Sequence, residues 1–185
     1  LKRLIAYSGV IQSGFILSGI SSGVYGVSAS IFYLITYIIQ LIGIFTIFSI
    51  ISGQLSSDFQ ISNISGLFKE NKYITITFSI FMLGLAGLPL TSGFVSKFIL
   101  ITNLWSYVGY ILVTVLMLTT VAGFYFYVRP IWVAAVEKTE NAVERIQVKN
   151  SDKLLLGILA ALTIYFGLLP NTLVNITRWM VEGYL

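Results

Sequence analysis

Gly84-Leu-Ala-Gly-Leu-Pro-Leu-Thr-Ser-Gly-Phe-Val-Ser-Lys-Phe98 sits inside a stretch, Tyr73 to Thr102, that is uncharged apart from Lys97. Pro89 has no N–H and its ring clashes with the preceding turn, so a helix running through this segment must kink or unwind there. Gly84, Gly87 and Gly93 ease that break. Backbone groups freed within a membrane must be buried in protein or face water, so the break marks a polar cavity that Thr91, Ser92 and Ser96 are placed to line. With helix resuming after Gly93, Lys97 stands roughly 12 Å beyond Pro89 along the axis.

The surroundings of that block make a membrane the only reasonable solvent. Hydrophobic residues make up 57% of the 185 and charged residues 10%, against about 25% charged in an ordinary soluble domain. A crossing helix needs about 20 mostly apolar residues. Stretches of that kind place five spans near 4–22, 29–51, 73–102, 107–128 and 154–174, the third broken at Pro89. The first two share one charge-free run between Arg3 and Asp58, with a turn between Ser21 and Ser28. The apolar runs are continuous rather than alternating, which argues against a membrane strand. The fold class is therefore an all-α membrane protein, a single membrane domain over residues 1–185.

Five spans also sort the charges. Lys2, Arg3, Lys69, Lys72, Arg129, Lys138, Arg145, Lys149 and Lys153 fall on one side, Arg178 on the other, and Lys97 within a span. That asymmetry puts the amino terminus in the positive-inside compartment. It also explains the net charge of +4 without nucleic acid, since the basic residues fill the gaps between apolar runs. Residues 61–72 read as a short interfacial segment, and 131–152 as an exposed amphipathic helix.

An ammonium at the centre of the hydrocarbon costs on the order of 2.5 to 3.5 kcal/mol on insertion scales, so Lys97 needs a partner, a water path or a task. One reading makes it a group that takes and releases a proton. The other makes it a snorkelling lysine, its stem carrying the charge toward Asn103, Trp105 and Tyr107 at the membrane surface. Gln12 and Gln40 read as glue between helices, and Tyr7, Tyr125 and Tyr127 as interfacial anchors. With no cysteine and no histidine, the chain offers no thiolate or imidazole for an iron–sulfur cluster, haem or zinc. There is no phosphate loop, catalytic triad or pair of membrane carboxylates, so a self-contained enzyme is not expected.

Four segments carry a family resemblance: Lys2-Arg-Leu-Ile-Ala-Tyr-Ser8, the block from Gly84 to Phe98, Phe124-Tyr-Phe-Tyr-Val-Arg129, and Gly167-Leu-Leu-Pro170. In order and spacing they resemble the antiporter-like membrane subunits of respiratory complex I, nearest the branch of mitochondrial NADH dehydrogenase subunit 2 and bacterial subunit N. The fourth mitochondrial subunit typically carries glutamate at the place of Lys97, and the fifth tends to follow its lysine with aspartate. Gln12 departs from the pattern, because this branch often has histidine there.

The resemblance implies an inverted-repeat bundle of which this chain holds most of the second repeat. It also implies that Lys97 is the buried lysine of a broken helix near the exit half of a proton path. The implied function is non-redox proton translocation in NADH:ubiquinone oxidoreductase, with flavin and iron–sulfur clusters in other subunits and no cofactor here. Implied partners are the other complex I subunits, membrane lipids, and a separate chain carrying the first half of a split or processed subunit. The implied location is the mitochondrial inner membrane or, alternatively, a bacterial cytoplasmic membrane. Two rivals stay open: a subunit of a multi-component sodium/proton antiporter, which shares the motif, and a structural fragment that does not pump.

Overall fold

The structure, a computed structural model, describes residues 2–54, 64–67, 71–107, 109–136 and 147–183. Among these there are seven α-helices and no strand: α1 (Lys2–Ile20), α2 (Gly23–Ser52), α3 (Lys72–Ala86), α4 (Ser92–Tyr107), α5 (Tyr110–Ala135), α6 (Asn150–Leu168) and α7 (Asn171–Glu182). Three of them, α2, α5 and α6, are individually long and apolar enough to cross a membrane.

The turn between α1 and α2 is shorter than the expected one. Ser22 closes it by donating from Oγ to the Gly19 carbonyl at 2.8 Å, and Gly23 takes a left-handed φ of 75°. Gly26 and Ser28 already belong to α2. Gly26 serves close packing instead of a turn, since a Cβ there would collide with the Gly19 carbonyl and the Ser22 side chain.

α2 is the axis of the bundle, and α1, α3, α4, α6 and α7 all pack on it. Its 30 residues make a rod of roughly 45 Å. One half of it, through Ile44, Ile47, Phe48 and Ile51, is buried against Ile74, Phe78, Phe81 and Leu85 of α3 and Leu156 and Ala160 of α6. Gly43 makes room for the Phe81 ring, whose Cδ2 would lie 2.8 Å from any Cβ there. The other half packs Ala29 and Tyr33 against Phe15 of α1, Leu100 and Leu104 of α4, and Val113 and Leu116 of α5. Phe15 stacks on Tyr33 with ring centroids 5.7 Å apart.

The later elements depart from the expected bounds. α5 runs through Pro130 to Ala135, beyond the expected end at residue 128. The segment expected as one span over 154–174 is two helices. α6 stops at Leu168, Leu169 leaves helical geometry at φ −125° and ψ 65°, and α7 starts after Pro170. Proline supplies no N–H to continue the helical ladder and clashes with the turn before it. Within the expected interfacial segment, Ile64 and Leu67 are buried in the core, and residues 61–63 and 68–70 lie outside the described residues. Of the expected amphipathic helix over 131–152, residues 131–135 end α5 and 150–152 begin α6, while 137–146 lie outside the described residues.

Candidate functional site

At the helix break several of the freed backbone groups find partners nearby. α3 ends with Gly87 in the left-handed region at φ 83°, which the missing Cβ permits. The Gly87 N–H donates to the carbonyls of Leu83 and Gly84, and the Leu88 N–H returns to Leu83, each at 3.0 Å. Pro89 and Leu90 turn the chain, Leu90 with a φ of 76°, a conformation that costs an L-residue roughly 1–2 kcal/mol. Thr91 closes the turn on the Leu88 carbonyl, with its N–H at 3.2 Å and its hydroxyl at 2.6 Å. Two carbonyls of the last turn of α3 are still unspoken for by backbone, those of Leu85 and Ala86. Lys97 takes both, Nζ donating to Leu85 at 2.7 Å and to Ala86 at 3.3 Å.

Lys97 is thus the C-terminal cap of the helix that precedes it, across the break. It is 7% exposed, and its charge meets the negative end of the α3 dipole. Its Nζ also lies 5.7 Å from the centroid of the Phe15 ring, within cation–π range. The ammonium points back into the bundle, away from Trp105, which is 55% exposed. That direction is the opposite of snorkelling.

Glycines allow this closeness. A Cβ on Gly87 would sit 3.2 Å from Lys97 Cδ, and one on Gly93 would fall inside the Gly84 carbonyl. A Cβ on Gly84 would meet Gln40 Nε2 at 2.7 Å, and that same amide donates to Ser92 Oγ at 3.1 Å. Gln40 therefore ties α2 to the first residue of α4 at the break.

Beside Lys97 lies a cavity of about 10 Å³ lined by Gln12, Tyr33, Thr36, Gln40 and Ser96. Its size suits about one water, and its walls supply the several polar partners a buried water needs. Of the three residues expected to line a path, Ser96 faces this cavity, with Oγ donating to the Gly93 carbonyl at 3.0 Å. Thr91 and Ser92 are buried but engaged in the turn and with Gln40. Tyr33 and Thr36 were not singled out by sequence. Their signal is the spacing of Tyr33, Thr36 and Gln40 by three and four residues, one face of a helix.

A polar chain extends from the cavity toward α5. The Tyr33 hydroxyl donates to Gln12 Oε1, Gln12 Nε2 donates to Tyr127 Oη at 3.0 Å, and Tyr127 Oη pairs with Ser8 Oγ. Tyr127 is therefore no interfacial anchor. It is 3% exposed, whereas Tyr7 and Tyr125 are 73% and 65% exposed, because the helical turn that aims Tyr127 at α1 aims its neighbour outward. Tyr127→Phe leaves the Gln12 amide short of a buried acceptor. It is expected to cost about 1–3 kcal/mol, read as a lowered melting temperature of the purified assembly, while Tyr125→Phe changes it little.

The family described as NADH:quinone oxidoreductase/Mrp antiporter, TM, matches residues 1–123, which include the break and Lys97. The chain belongs to that family. Among curated family members, it is 33% identical over 193 residues to NAD(P)H-quinone oxidoreductase subunit 2 of Synechococcus sp. (strain JA-3-3Ab), covering 98% of this chain and 37% of the relative. It is 30% identical over 190 residues to NADH-quinone oxidoreductase subunit N 1 of Symbiobacterium thermophilum, covering 99% and 39%. The fold matches a chain in a solved structure of respiratory complex I from Thermus thermophilus with a TM-score of 0.78. That match has 24% identity over 95% of this chain and 39% of that one. The chain thus spans little more than a third of the length of these relatives. The family match ends at Gly123, short of Tyr127, so the Gln12–Tyr127 contact joins its matched part to residues beyond it.

Proposed function

We propose that the chain is part of a proton-translocating membrane subunit of NADH:quinone oxidoreductase, with Lys97 as the group that takes and releases the proton. One observation carries this reading: a buried ammonium held by two helix-end carbonyls, against a polar cavity the size of a water. Carbonyls attract the charged form without a fixed anion to trap it, and the cavity offers a route for the proton to leave. Ser96, Thr36 and Tyr33 supply hydroxyls along that wall.

In this reading the bundle crosses the membrane five times. α3 and α4 make one crossing around Pro89, α6 and α7 another, and the ends rich in lysine and arginine face the matrix or the cytoplasm. The membrane is the mitochondrial inner membrane or its bacterial counterpart. Electron transfer occurs elsewhere in the assembly; a chain without cysteine or histidine offers no thiolate or imidazole to a cluster or haem. The partners are the other subunits of the complex and whatever polypeptide supplies the rest of the relatives' length.

The names of the relatives favour quinone oxidoreductase over the antiporter also included in the family's description. The test is proton uptake by sealed vesicles carrying the native complex, driven by NADH. Uptake that follows quinone reduction and ignores sodium is the expected result. Sodium-dependent flux without quinone reduction would replace this reading with ion exchange.

A further inference from the structure

With five crossings, the charged residues on the side opposite the lysine-rich ends are Arg178 and Glu182, four apart on α7. They do not neutralise each other. The Arg178 guanidinium forms no ion pair among the described residues and lies instead over the Tyr25 ring, 5.4 Å from its centroid. Arginine before glutamate at this spacing is also the weaker order for a helical pair. Arg178 and Tyr25 both border a cavity of about 40 Å³ where α2, α4 and α7 meet.

The cavity is lined by donors. Ser28 Oγ donates to Thr177 Oγ1 at 3.1 Å, and Thr177 Oγ1 to the Val174 carbonyl at 3.0 Å, so both hydroxyl hydrogens are used inside the protein. Asn103 gives one amide hydrogen to the Ile99 carbonyl at 2.9 Å, which leaves its second and the five of the guanidinium. No carboxylate borders the cavity. An excess of donors with a positive charge is complementary to an anion with several acceptor oxygens. Phosphate fits, because the planar guanidinium fork pairs with it bidentately, and the cavity holds about three times the room one water requires. The depth fits as well. Tyr25 lies in the first turn of α2, Asn103 one turn before the end of α4 and Arg178 one turn before the end of α7, each within about 6 Å of a helix end, at the level of lipid headgroups. Nearer the bilayer centre, Ile176 of α7 and Phe98 of α4 are exposed and apolar, a surface for acyl chains.

We propose that Arg178, with Asn103, holds the phosphate of a phosphatidylethanolamine in the leaflet opposite the lysine-rich ends, and that Glu182 receives its headgroup amine. The order along α7 matches the lipid, whose amine lies outward of its phosphate: Glu182 stands four residues beyond Arg178, about 6 Å nearer the surface. A choline headgroup has no N–H to give the carboxylate, and a net-negative headgroup would be repelled by it. The inference rests on the membrane-spanning reading above and does not require that Lys97 pump.

The test places the native complex in phosphatidylcholine vesicles with a small fraction of phosphatidylethanolamine that carries a photoreactive group on its acyl chain close to the glycerol. After illumination, adducts on this chain are mapped by mass spectrometry. They are expected on α7 and the start of α2, and unlabelled phosphatidylethanolamine should compete for them about tenfold better than phosphatidylglycerol. Arg178→Gln should lower these adducts about tenfold, the loss of a hydrogen-bonded charge pair. Glu182→Gln should keep them but remove the preference for the amine headgroup. Undiminished adducts in Arg178→Gln, in a complex of normal abundance on a native gel, would overturn the site. So would better competition by phosphatidylglycerol in the unaltered complex, a result that decides the matter even where Arg178→Gln fails to assemble. The exposed residues Val121 and Phe124 of α5 separate this inference from the reading beneath it. Adducts there with none on α7 or α2 would end the lipid site alone, and adducts on none of these helices would end the membrane-spanning reading and the site with it.

Discussion

Lys97→Met is expected to leave the assembled complex near its normal abundance while lowering the protons moved per NADH oxidised. Methionine fills nearly the same volume but cannot hold a proton. Losing a positioned acid–base group slows the transfers that depend on it by on the order of 10²–10⁴. The structural cost is smaller. The carbonyls of Leu85 and Ala86 lose their donor, at about 1–3 kcal/mol for an acceptor left bare, but the variant no longer pays for burying an ammonium, and water in the neighbouring cavity can reach the freed oxygens.

Lys97→Arg separates charge from proton transfer. A guanidinium keeps its charge and its donors but does not give up a proton in a protein. If the cation only caps α3, arginine should restore the yield that methionine loses. If the proton itself moves through this group, both variants should fail alike. An unchanged proton yield in Lys97→Met, measured on intact vesicles with normal NADH oxidation, would defeat the proposed role.

Gly93→Ala is expected to prevent assembly, or to lower the melting temperature of what assembles, by more than any single-methyl change elsewhere in α4. The added carbon falls within the Gly84 carbonyl group, which is backbone and cannot rotate aside. α3 and α4 would have to part, taking with them the Gln40–Ser92 contact and the carbonyls that hold Lys97. Overpacking of this kind costs about 1–3 kcal/mol and sometimes more. The control has the opposite sign. Gly14 in α1 has nothing within 4 Å of an added Cβ, so Gly14→Ala should be neutral or stabilising by up to about 1 kcal/mol through helix propensity. Equal abundance of the Gly93→Ala and Gly14→Ala assemblies, read by native gel and thermal melt, would remove the close-packing argument.

Much of this was legible before any fold was known, and the legible parts share a cause. Pro89 lacks an N–H and crowds the turn before it, and with Gly84, Gly87 and Gly93 around it the helix ends there, whereas α5 carries Pro130 without a break; the same weakness at Pro170 divides the last expected span. The apolar run continues across Pro170, so run length alone reads 154–174 as a single span. Tyr127 departs from expectation for another reason. Its position near a run of aromatics and Arg129 matched an interfacial anchor, yet Tyr125 and Tyr127 point in different directions on one helix, and only the location of α1 decides which is buried. Gln12 and Gln40 link helices, as their placement in apolar spans suggests, but nothing local to them names Tyr33, Tyr127 or Ser92 as the partners.

By itself, then, the sequence determined what depends on neighbouring residues and on solvent. Apolar runs with few charges require helices in a membrane, Pro89 and its glycines require a break, and a lone lysine beside that break requires a partner. The tertiary structure decided what depends on residues far apart in the chain. It turned Lys97 back onto the carbonyls of Leu85 and Ala86, closed a water-sized cavity with Gln12 and Tyr33, and set Gly167 against the turn at Leu90 and Thr91. The physical reason is range. Backbone sterics and transfer into lipid act residue by residue, whereas the partner of a buried polar group is whichever atom the packing of other helices brings within about 3 Å.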